Sequence, residues 1–586
     1  MNNQEPSIIV AEPRTQVSVT LPNQMVLAGP IGSTTGDFLR AAAEYLTYET
    51  PLMGAICDGQ LRELSYPLYR DATLEPVLLT NSDGARIYRR SLVLLMATAA
   101  EELWPGCRLS VRYAVPDGGF YCTRLDGPPF PTQELAQLER HMRKIVEEDA
   151  PISKRVVPLE TAEALFASRN EDDKVRLLAQ RSRQELTLYK LHNREDYHYG
   201  YMLPSTGYLR LFRLIWVRDG FILQYPRHET PNQLRPIRAY DKLGAVFNQA
   251  DEWLKRMHVE DVGRLNRLIQ NPNDLHELIL VAEALHEQQI AHIAHEVQQR
   301  HKDDGIRLVL IAGPSSSGKT TFAKRLAIQL LAHGLRPFTL ELDNYFVDRS
   351  LTPRDENGVF DFESLEAVNL PLFNEQLLKF IQGEEIQLPR YDFITGRSEK
   401  GRIARLEQNQ IVIIEGIHGL NPSLVPDIPQ PLIYRVYVSA LTQLNVDAHN
   451  RVPTTDVRLL RRVVRDARAR GYTAVDTLHR WGSVRNGERK NIFPYQENAD
   501  VMFNSALVYE LAALRPLAEP LLLQVPHATP EHIEAKRLLS FLGWVRSLQV
   551  EQLDMVPDTS ILREFIGKSG LEHYYPTRLE NGNTGS

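Results

Sequence analysis

The stretch RLVLIAGPSSSGKTTFAKRL, residues 307 to 326, constrains the fold of this chain more than any other. The apolar run from Ile306 to Ala312 predicts a strand that is buried on both faces of a parallel sheet. From Lys319 onward apolar residues recur every four positions, as on one face of a helix: Phe322, Leu326 and Leu330. The loop between them therefore leads from a buried strand into a helix N-terminus, which is a geometry that binds phosphate.

The loop has the spacing GxxxxGK[ST]. Gly313 and Gly318 let successive N–H groups curl into one concavity, where the helix dipole adds positive potential. Lys319 then reaches the β and γ phosphates of a nucleotide, and the Thr320 hydroxyl binds Mg²⁺. A serine-rich turn with this spacing by chance is the alternative, but both flanking elements favour a nucleotide site. The predicted nucleotide-binding residues are Gly313, Pro314, Ser315, Ser316, Ser317, Gly318, Lys319, Thr320 and Thr321.

Length and composition limit the class of protein. A chain of 586 residues predicts two to four domains. A net charge of −7 argues against a protein that mainly coats nucleic acid. The three cysteines form no CxxC pair, and neither a signal peptide nor an apolar run of the ~18 residues that span a bilayer is visible. We therefore expect a cytoplasmic protein without a membrane partner.

Two acidic residues follow predicted strands of the nucleotide-binding region. Asp343, in TLELDNYF, is placed to face the γ-phosphate and to take a proton from an attacking hydroxyl. Glu415, in IVIIEG, is placed to hold Mg²⁺ directly or through water. The alternative for each is a solvated acid at a loop edge. A GTPase switch would need a guanine-reading NKxD, which the chain lacks, so phosphoryl transfer is the better interpretation.

Strands and helices alternate from residue 303 to 586. Apolar segments such as PFTLEL, QIVIIEG, LIYRVYVSA and ADVMFNS are separated by helical segments such as LPLFNEQLLKFIQ. This alternation predicts an α/β domain with a doubly wound parallel sheet, whose ligands collect at the carboxyl ends of its strands.

Residues 306 to about 510 resemble the uridine kinase and phosphoribulokinase family of P-loop kinases. The motifs GPSSSGKTT, LDNYF, PRYDF, IIEGIHGLN and RLLRRVVRDARARG occur in that family's order. The resemblance implies ATP and Mg²⁺ as cofactors, Asp343 as the base, and Thr320, Asp343 and Glu415 near the metal. It also implies a lid that carries catalytic arginines on one helix face, namely Arg458, Arg461, Arg462 and Arg465. A solvated basic face is the alternative.

The same resemblance assigns residues to the acceptor side: Asp343, Tyr345, Glu363, Tyr391 and Asp392. Glu363 falls where the family usually has an aspartate that binds ribose hydroxyls. Tyr391 is a candidate platform for a base, with core packing as the alternative. Gly396 replaces a histidine that uridine kinases carry after PRYDF, which removes a hydrogen-bonding partner for a pyrimidine.

The first half of the chain resembles parts of threonyl-tRNA synthetase. Residues 14–82 resemble its TGS domain, a ubiquitin-like β-grasp fold, and residues 83–245 resemble its second additional domain, an α+β fold. The segments that carry the second resemblance are DGARIYRRS, EELWPG, DGGFYC and LFASR. A disordered tail is predicted at 1–13 and a helical connector at 246–302.

The editing residues of the synthetase domain are absent. Arg90 and Leu94 stand where its HxxxH would be, and Tyr201 and Ser205 are assigned to its CxxxH. Because leucine neither binds a metal nor moves a proton, the resemblance implies a scaffold without editing chemistry and without zinc. What this half binds, RNA, a regulator or nothing, is left open, as is homo-oligomerisation.

The whole chain resembles a bacterial family of uridine kinase-like nucleoside kinases with a TGS-type N-terminus. This resemblance implies a kinase that transfers the γ-phosphoryl group to a hydroxyl of a small ribose-containing acceptor. The leading candidate is the 5′-hydroxyl of a nucleoside such as uridine or cytidine. The alternatives are a kinase for a sugar phosphate or another hydroxylated metabolite, and an RNA-associated ATPase or nucleotide sensor. DTSILREFIGKSG, residues 558 to 570, has two interpretations: a segment that packs for stability, or one that acts at the active site.

Overall fold

The computed structural model describes residues 13–181, 183–354, 358, 360–392, 395–442, 444–527 and 529–575. The predicted disordered tail therefore lies outside the described residues except for Pro13, as does the polar C-terminal end. The chain forms two compact units. Unit 1 is Met1–Arg238 with Ala448–Asn450 and Pro526–Arg537, and unit 2 is Ala239–Asp447 with Arg451–Val525 and Leu538–Ser586.

Unit 1 begins with a five-stranded sheet in the order β2-β1-β5-β3-β4. Its one helix, α1, is started by a capping box, in which the Thr34 hydroxyl accepts from the Asp37 N–H and the Asp37 carboxylate accepts from the Thr34 N–H. Val17, Val19 and Phe38 pack in the core between helix and sheet. The elements are β1 (Gln16–Thr20), β2 (Val26–Pro30), α1 (Thr35–Ala42), β3 (Leu52–Cys57), β4 (Gln60–Arg62) and β5 (Ala72–Leu78).

The rest of unit 1 surrounds α2, a helix of 22 residues whose central turns are buried. Two antiparallel sheets accompany it, in the orders β10-β9-β8 and β11-β12-β7-β6. The elements are α2 (Ser82–Leu103), β6 (Leu109–Val115), β7 (Gly119–Arg124), α3 (Thr132–Glu147), β8 (Ser153–Pro158), α4 (Leu159–Ser168), α5 (Asp172–Leu178), β9 (Glu185–Leu191), β10 (Arg194–Asp196), β11 (Arg213–Val217) and β12 (Gly220–Gln224).

Unit 2 opens with three helices and continues with a five-stranded parallel sheet in the order β14-β17-β13-β18-β19. The first elements are α6 (Asp241–Arg256), α7 (Val262–Ile269), α8 (Pro272–Asp303), β13 (Leu308–Ala312), α9 (Lys319–Ala332), β14 (Arg336–Glu341), α10 (Leu370–Ile381), β15 (Glu385–Asp392) and β16 (Arg397–Arg405). The others are β17 (Gln410–Glu415), β18 (Ile433–Ser439), α11 (Thr454–Ala469), α12 (Ala474–Asn491), β19 (Val501–Asn504) and α13 (Glu510–Leu523). Three further helices follow along the chain: α14 (Pro530–Leu542), α15 (Val550–Leu553) and α16 (Arg563–Ile566). The first part of α14, up to Arg537, belongs to unit 1.

The parallel sheet predicted from the alternation of elements is confirmed. Every residue of β13 and of β18 is buried, as expected for strands with helices on both sides. Phe322, Leu326 and Leu330 are fully buried on α9. β13 is the central strand, so the loop that follows it lies between the ends of β17 and β18.

The antiparallel hairpin of β15 and β16 is a feature that the sequence does not predict. It pairs Glu385 to Asp392 with Arg397 to Arg405, away from the parallel sheet. The predicted connector at 246–302 forms α6, α7 and most of α8, which cluster with the parallel sheet in unit 2. Across the part of the chain that the structure describes, no helix is long and apolar enough to cross a membrane.

Candidate functional site

The loop after β13 has the tight geometry that its glycines predict. A Cβ atom on Gly313 would lie 1.9 Å from the carbonyl oxygen of Val438, so only glycine fits. Ser316 and Gly318 adopt positive φ angles of 58° and 85°, which turn the chain into the start of α9 at Lys319. The first turn of this helix therefore begins directly after the loop, where its N–H groups lack partners within the helix.

Lys319 follows the loop, and its half-buried side chain donates to the carbonyl oxygen of Pro314 at 3.3 Å. Burial lowers the pKa of Lys319, whereas the charges of Glu415, Glu564 and Glu488 act in the opposite direction. The lysine is therefore surrounded by carboxylates that come from three distant parts of the chain.

Thr320 and Glu415 are joined by a hydrogen bond from the threonine hydroxyl to Oε1 at 2.9 Å. Burial raises the pKa of Glu415, Lys319 and Thr320 lower it, and the charges of Glu564 and Asp343 raise it further. Hydroxyl and carboxylate oxygens are ligands that suit Mg²⁺. Within the described residues no three acidic, histidine or cysteine side chains are grouped closely enough to hold a metal. The Thr320 hydroxyl and the Glu415 carboxylate are thus two candidate oxygen ligands for an ion.

Asp343 lies in the short 3-10 turn Leu342–Tyr345, just after β14. Its side chain is exposed at the end of the sheet, on the side toward Glu415. Although water reaches this side chain, the surrounding protein partly desolvates its carboxylate, and this effect, followed by the nearby carboxylate of Glu341, raises the pKa of Asp343. A carboxylate with a raised pKa at this position is chemically suited to accept a proton.

The arginines of α11 share a face as predicted, but two of them have structural roles. Arg458 and Arg461 are 1% and 0% exposed, in ion pairs with Glu488 and Glu510. Arg458 also donates to the Ser315 carbonyl at 3.0 Å, so these side chains hold the back of the loop. Breaking either ion pair would leave a buried carboxylate without a partner, which costs free energy. The expectation that Arg458 and Arg461 close on a triphosphate is therefore corrected.

The other two arginines of the predicted set are more accessible. Arg462 donates to the Ser315 hydroxyl at 2.7 Å and pairs with Asp466. Arg465 also pairs with Asp466, at 3.1 Å, and lies 3.9 Å from Glu564. Arg462 and Arg465 are therefore the members of the set that remain candidates for contact with phosphate.

On the acceptor side, Glu363 is half-buried beside α12. A Cβ on Gly487 would lie 1.8 Å from Oε2 of Glu363, so glycine is required opposite the carboxylate. Burial, followed by the charges of Glu488 and Asp361, raises the pKa of Glu363 to about 7. This carboxyl group therefore changes its charge near neutral pH.

The tyrosines assigned to the acceptor are core residues. Tyr391 is 4% exposed and packs edge-on against Phe346, with ring centroids 5.6 Å apart. Tyr345 is 2% exposed and donates its hydroxyl hydrogen to Gln376 at 3.0 Å. For Tyr391 these contacts favour the core-packing alternative over a platform for a base.

Asp392 and Gly396 form the turn of the β15–β16 hairpin. The Asp392 carbonyl accepts from the Gly396 N–H at 2.7 Å, and Asp392 itself is half-buried. Gly396 has φ 71°, and its Cβ would lie 2.8 Å from Cβ of Arg349. The space is thus closed to a histidine at this position, which gives a physical reason for the glycine.

Three carboxylates around the loop are not singled out by any motif: Glu488, Glu510 and Glu564. Of these, only Glu564 lies in a segment, residues 558 to 570, for which the sequence offers a role at the active site. Glu488 accepts from the Ser315 N–H at 3.0 Å, and Glu564 accepts from the Thr321 hydroxyl at 2.9 Å. They lie 173 and 243 residues from these partners along the chain. No motif or periodicity connects positions so far apart, so sequence reasoning missed them.

In unit 1 the positions assigned to the editing centre hold different chemistry. Arg90 donates to the carbonyl of Tyr201 at 2.9 Å, and Leu94 is fully buried. Ser205 bridges to Pro151 through the backbone. Burial lowers the pKa of Arg90 to about 10. The absence of zinc there stays a prediction.

Comparisons with known proteins find two different sets of relatives for this chain. Residues 308–512 match the model of the phosphoribulokinase / uridine kinase family. This part of the chain is therefore a kinase-family domain with a P-loop. Two solved structures are similar to it, a putative fructose transport system kinase from Silicibacter sp. TM1040 and a possible uridine kinase from Bacillus stearothermophilus. They show 21% and 19% identity, TM-scores of 0.26 and 0.23, and coverage of 36% and 34% of this chain and 98% and 88% of theirs.

The N-terminal region is similar to threonine–tRNA ligases. That of Symbiobacterium thermophilum is 32% identical over 206 residues, which is 35% of this chain and 31% of the ligase. That of Polaromonas naphthalenivorans is 26% identical over 253 residues, which is 42% of this chain and 38% of the ligase. The chain thus spans only about a third of the length of these relatives.

Proposed function

We propose that unit 2 is an ATP- and Mg²⁺-dependent kinase that transfers the γ-phosphoryl group to a hydroxyl of a small ribose-containing acceptor, first of all the 5′-hydroxyl of a nucleoside. The observation that carries the proposal is the hydrogen bond between Thr320 and Glu415. The charge of Asp343 also raises the pKa of the Glu415 carboxylate, so Asp343 lies near this pair. A phosphate-binding loop, a metal-binding pair and a base then meet at one edge of the sheet.

The loop and α9 would hold the nucleotide. N–H groups at the start of α9 and the Lys319 ammonium bind the phosphates, while Arg462 and Arg465 face the charge from α11. Thr320 and Glu415 would hold Mg²⁺, which neutralises charge on the transferring group.

Asp343 would act as the general base. Its carboxylate takes the proton of the acceptor hydroxyl as that oxygen forms a bond to phosphorus and the bond to the ADP oxygen breaks. The raised pKa of Asp343 brings its basicity closer to that of the hydroxyl in the transition state. Glu363, when ionised, would accept hydrogen bonds from the ribose hydroxyls.

The acceptor is tested by ADP release in the presence of uridine, cytidine, adenosine, guanosine, inosine or a sugar phosphate, beside a sample without acceptor. Asp343→Asn should keep nucleotide affinity and lose turnover by about 10²- to 10⁴-fold. Glu341→Gln is the matched control, because it removes a neighbouring charge and leaves the base. Near-normal turnover of Asp343→Asn would remove Asp343 from the mechanism, and release only with the sugar phosphate would change the acceptor.

A second candidate function rests on the similarity of the N-terminal region to threonine–tRNA ligases. In it, the chain is an RNA-associated ATPase or nucleotide sensor. Its sign would be ADP release that needs RNA and no small acceptor, together with tRNA binding that weakens steeply as salt is raised. Acceptor-dependent release that is insensitive to tRNA would exclude it.

A further inference from the structure

The C-terminal segment of unit 2 packs onto the start of the phosphate-binding helix. We call residues 558–572 the strap. Ile561 of the strap is fully buried and lies against Gly318, where an added Cβ would come within 2.4 Å of its Cγ2. Lys324 of α9 donates to the strap carbonyls of Leu571 and Glu572 at 2.7 and 3.0 Å. The strap thus contacts the N-cap of α9 at Gly318 and the second turn of the helix at Lys324.

The strap is also fixed from α11. Arg468 donates to the carbonyls of Glu564 and Phe565 at 3.1 and 3.3 Å. The guanidinium of Arg461 lies 4.9 Å from the centroid of the Phe565 ring. These contacts hold Glu564 in one position beside the loop.

Glu564 occupies donors that a phosphate would use. Its Oε2 accepts from the hydroxyl of Thr321 at 2.9 Å and from the Thr321 N–H at 3.4 Å. Thr321 is in the first turn of α9, where free N–H groups and the helix dipole attract an anion. Oε1 of the same carboxylate lies 3.9 Å from Arg465. The Glu564 carboxylate therefore accepts hydrogen bonds from Thr321 and also lies near Arg465, which is proposed to contact phosphate.

A triphosphate and a fixed carboxylate at the same donors repel each other, and only one can accept the Thr321 hydrogen bonds. We propose that the strap is an autoinhibitory element: Glu564 stands in place of a nucleotide phosphate, and nucleotide binding requires this side chain to withdraw. This inference rests on the proposed nucleotide site and adds its regulation.

The test measures the Kd of MgADP and MgATP for the full chain by titration calorimetry. Glu564→Gln keeps the size of the side chain and removes its charge, so it should tighten binding by about tenfold. Glu572→Gln is the matched control, since its side chain is exposed and its backbone carbonyl, which the substitution keeps, accepts from Lys324. An affinity of Glu564→Gln that is unchanged or weaker than that of the wild type would overturn the proposal.

Hydrogen exchange of the strap provides a second measurement that does not depend on the fold of a variant. In the wild type, amides of 558–572 should exchange faster when MgADP is bound, and greater protection would overturn the proposal. Lys319→Ala separates the two failures. Binding that needs Lys319 but is not tightened by Glu564→Gln refutes the strap alone, whereas no Lys319-dependent binding in either chain refutes the nucleotide site itself.

Discussion

The hydroxyl of Thr320 donates to Oε1 of Glu415 at 2.9 Å, across 95 residues of chain. The bond joins the start of α9 to the end of β17, the strand adjacent to β13. It orients the carboxylate, so the two residues would form a prearranged pair of oxygen ligands for the proposed Mg²⁺.

Glu415→Gln should raise the Mg²⁺ concentration needed for half-maximal turnover by about 10- to 100-fold, because an amide oxygen is a weaker ligand than a carboxylate. The affinity for ATP in the absence of Mg²⁺ should stay the same. The measurement is a Mg²⁺ titration of ADP release at saturating acceptor. An unchanged Mg²⁺ requirement would mean that the ion is held elsewhere.

Gly487→Ala should weaken acceptor binding. The added Cβ would meet Oε2 of Glu363 at 1.8 Å and displace the carboxylate, which predicts an increase in acceptor KM of about 10- to 100-fold. Gly482→Ala on the same helix is the control, since a Cβ there meets nothing within 4 Å. Steady-state kinetics with both variants make the comparison, and equal acceptor KM values would place Glu363 outside the acceptor site.

Acceptor binding should depend on pH through Glu363. Burial and then the carboxylates of Glu488 and Asp361 raise the pKa of Glu363 to about 7. The ionised form, which accepts two hydrogen bonds from hydroxyls, is lost as pH falls below this value, so acceptor KM should rise about tenfold per pH unit on the acid side. In Glu363→Gln this dependence should disappear. A wild-type KM that is flat between pH 5.5 and 8 would contradict the assignment.

Removing one partner of the buried Arg461–Glu510 pair should lower the free energy of unfolding strongly, whereas replacing both partners with apolar residues should lower it little. The two side chains are 0% and 2% exposed, so Arg461→Met leaves an unpaired buried carboxylate and should cost about 3–5 kcal/mol. The double variant with Glu510→Met removes both charges and should recover most of that loss. Urea unfolding of the three proteins measures the difference, and a double variant less stable than Arg461→Met would contradict the account.

Local patterns in the sequence predict the local structure of unit 2 well. Each correct prediction depends on residues that are close together in the sequence. These are the apolar run of β13, the four-residue spacing on α9, and the acids at the ends of β14 and β17. The common face of the α11 arginines is also a local property. Which of these arginines meets a buried carboxylate is decided by Glu488 and Glu510, which the chain brings in from other elements. That information is not local, and the sequence alone assigned all four arginines to one task.

The acceptor side shows the same limit. Tyr391 follows a motif, but its burial comes from the hairpin of β15 and β16 and from Phe346 across the fold. A tyrosine on a strand has the same local pattern whether its ring faces a ligand or a core. The roles of the site residues stay predictions, which the experiments above test.

The central position of β13 has a consequence for how this protein can diversify. The chain from 342 to 409, between β14 and β17, contains Asp343, Glu363 and the β15–β16 hairpin, whereas α11 and the strap come after β18. If residues 342 to 409 bind the acceptor as proposed, mutations that exchange one acceptor for another are expected to concentrate in this stretch of the gene. Mutations that alter the proposed control by the strap are expected in a separate stretch, after β18.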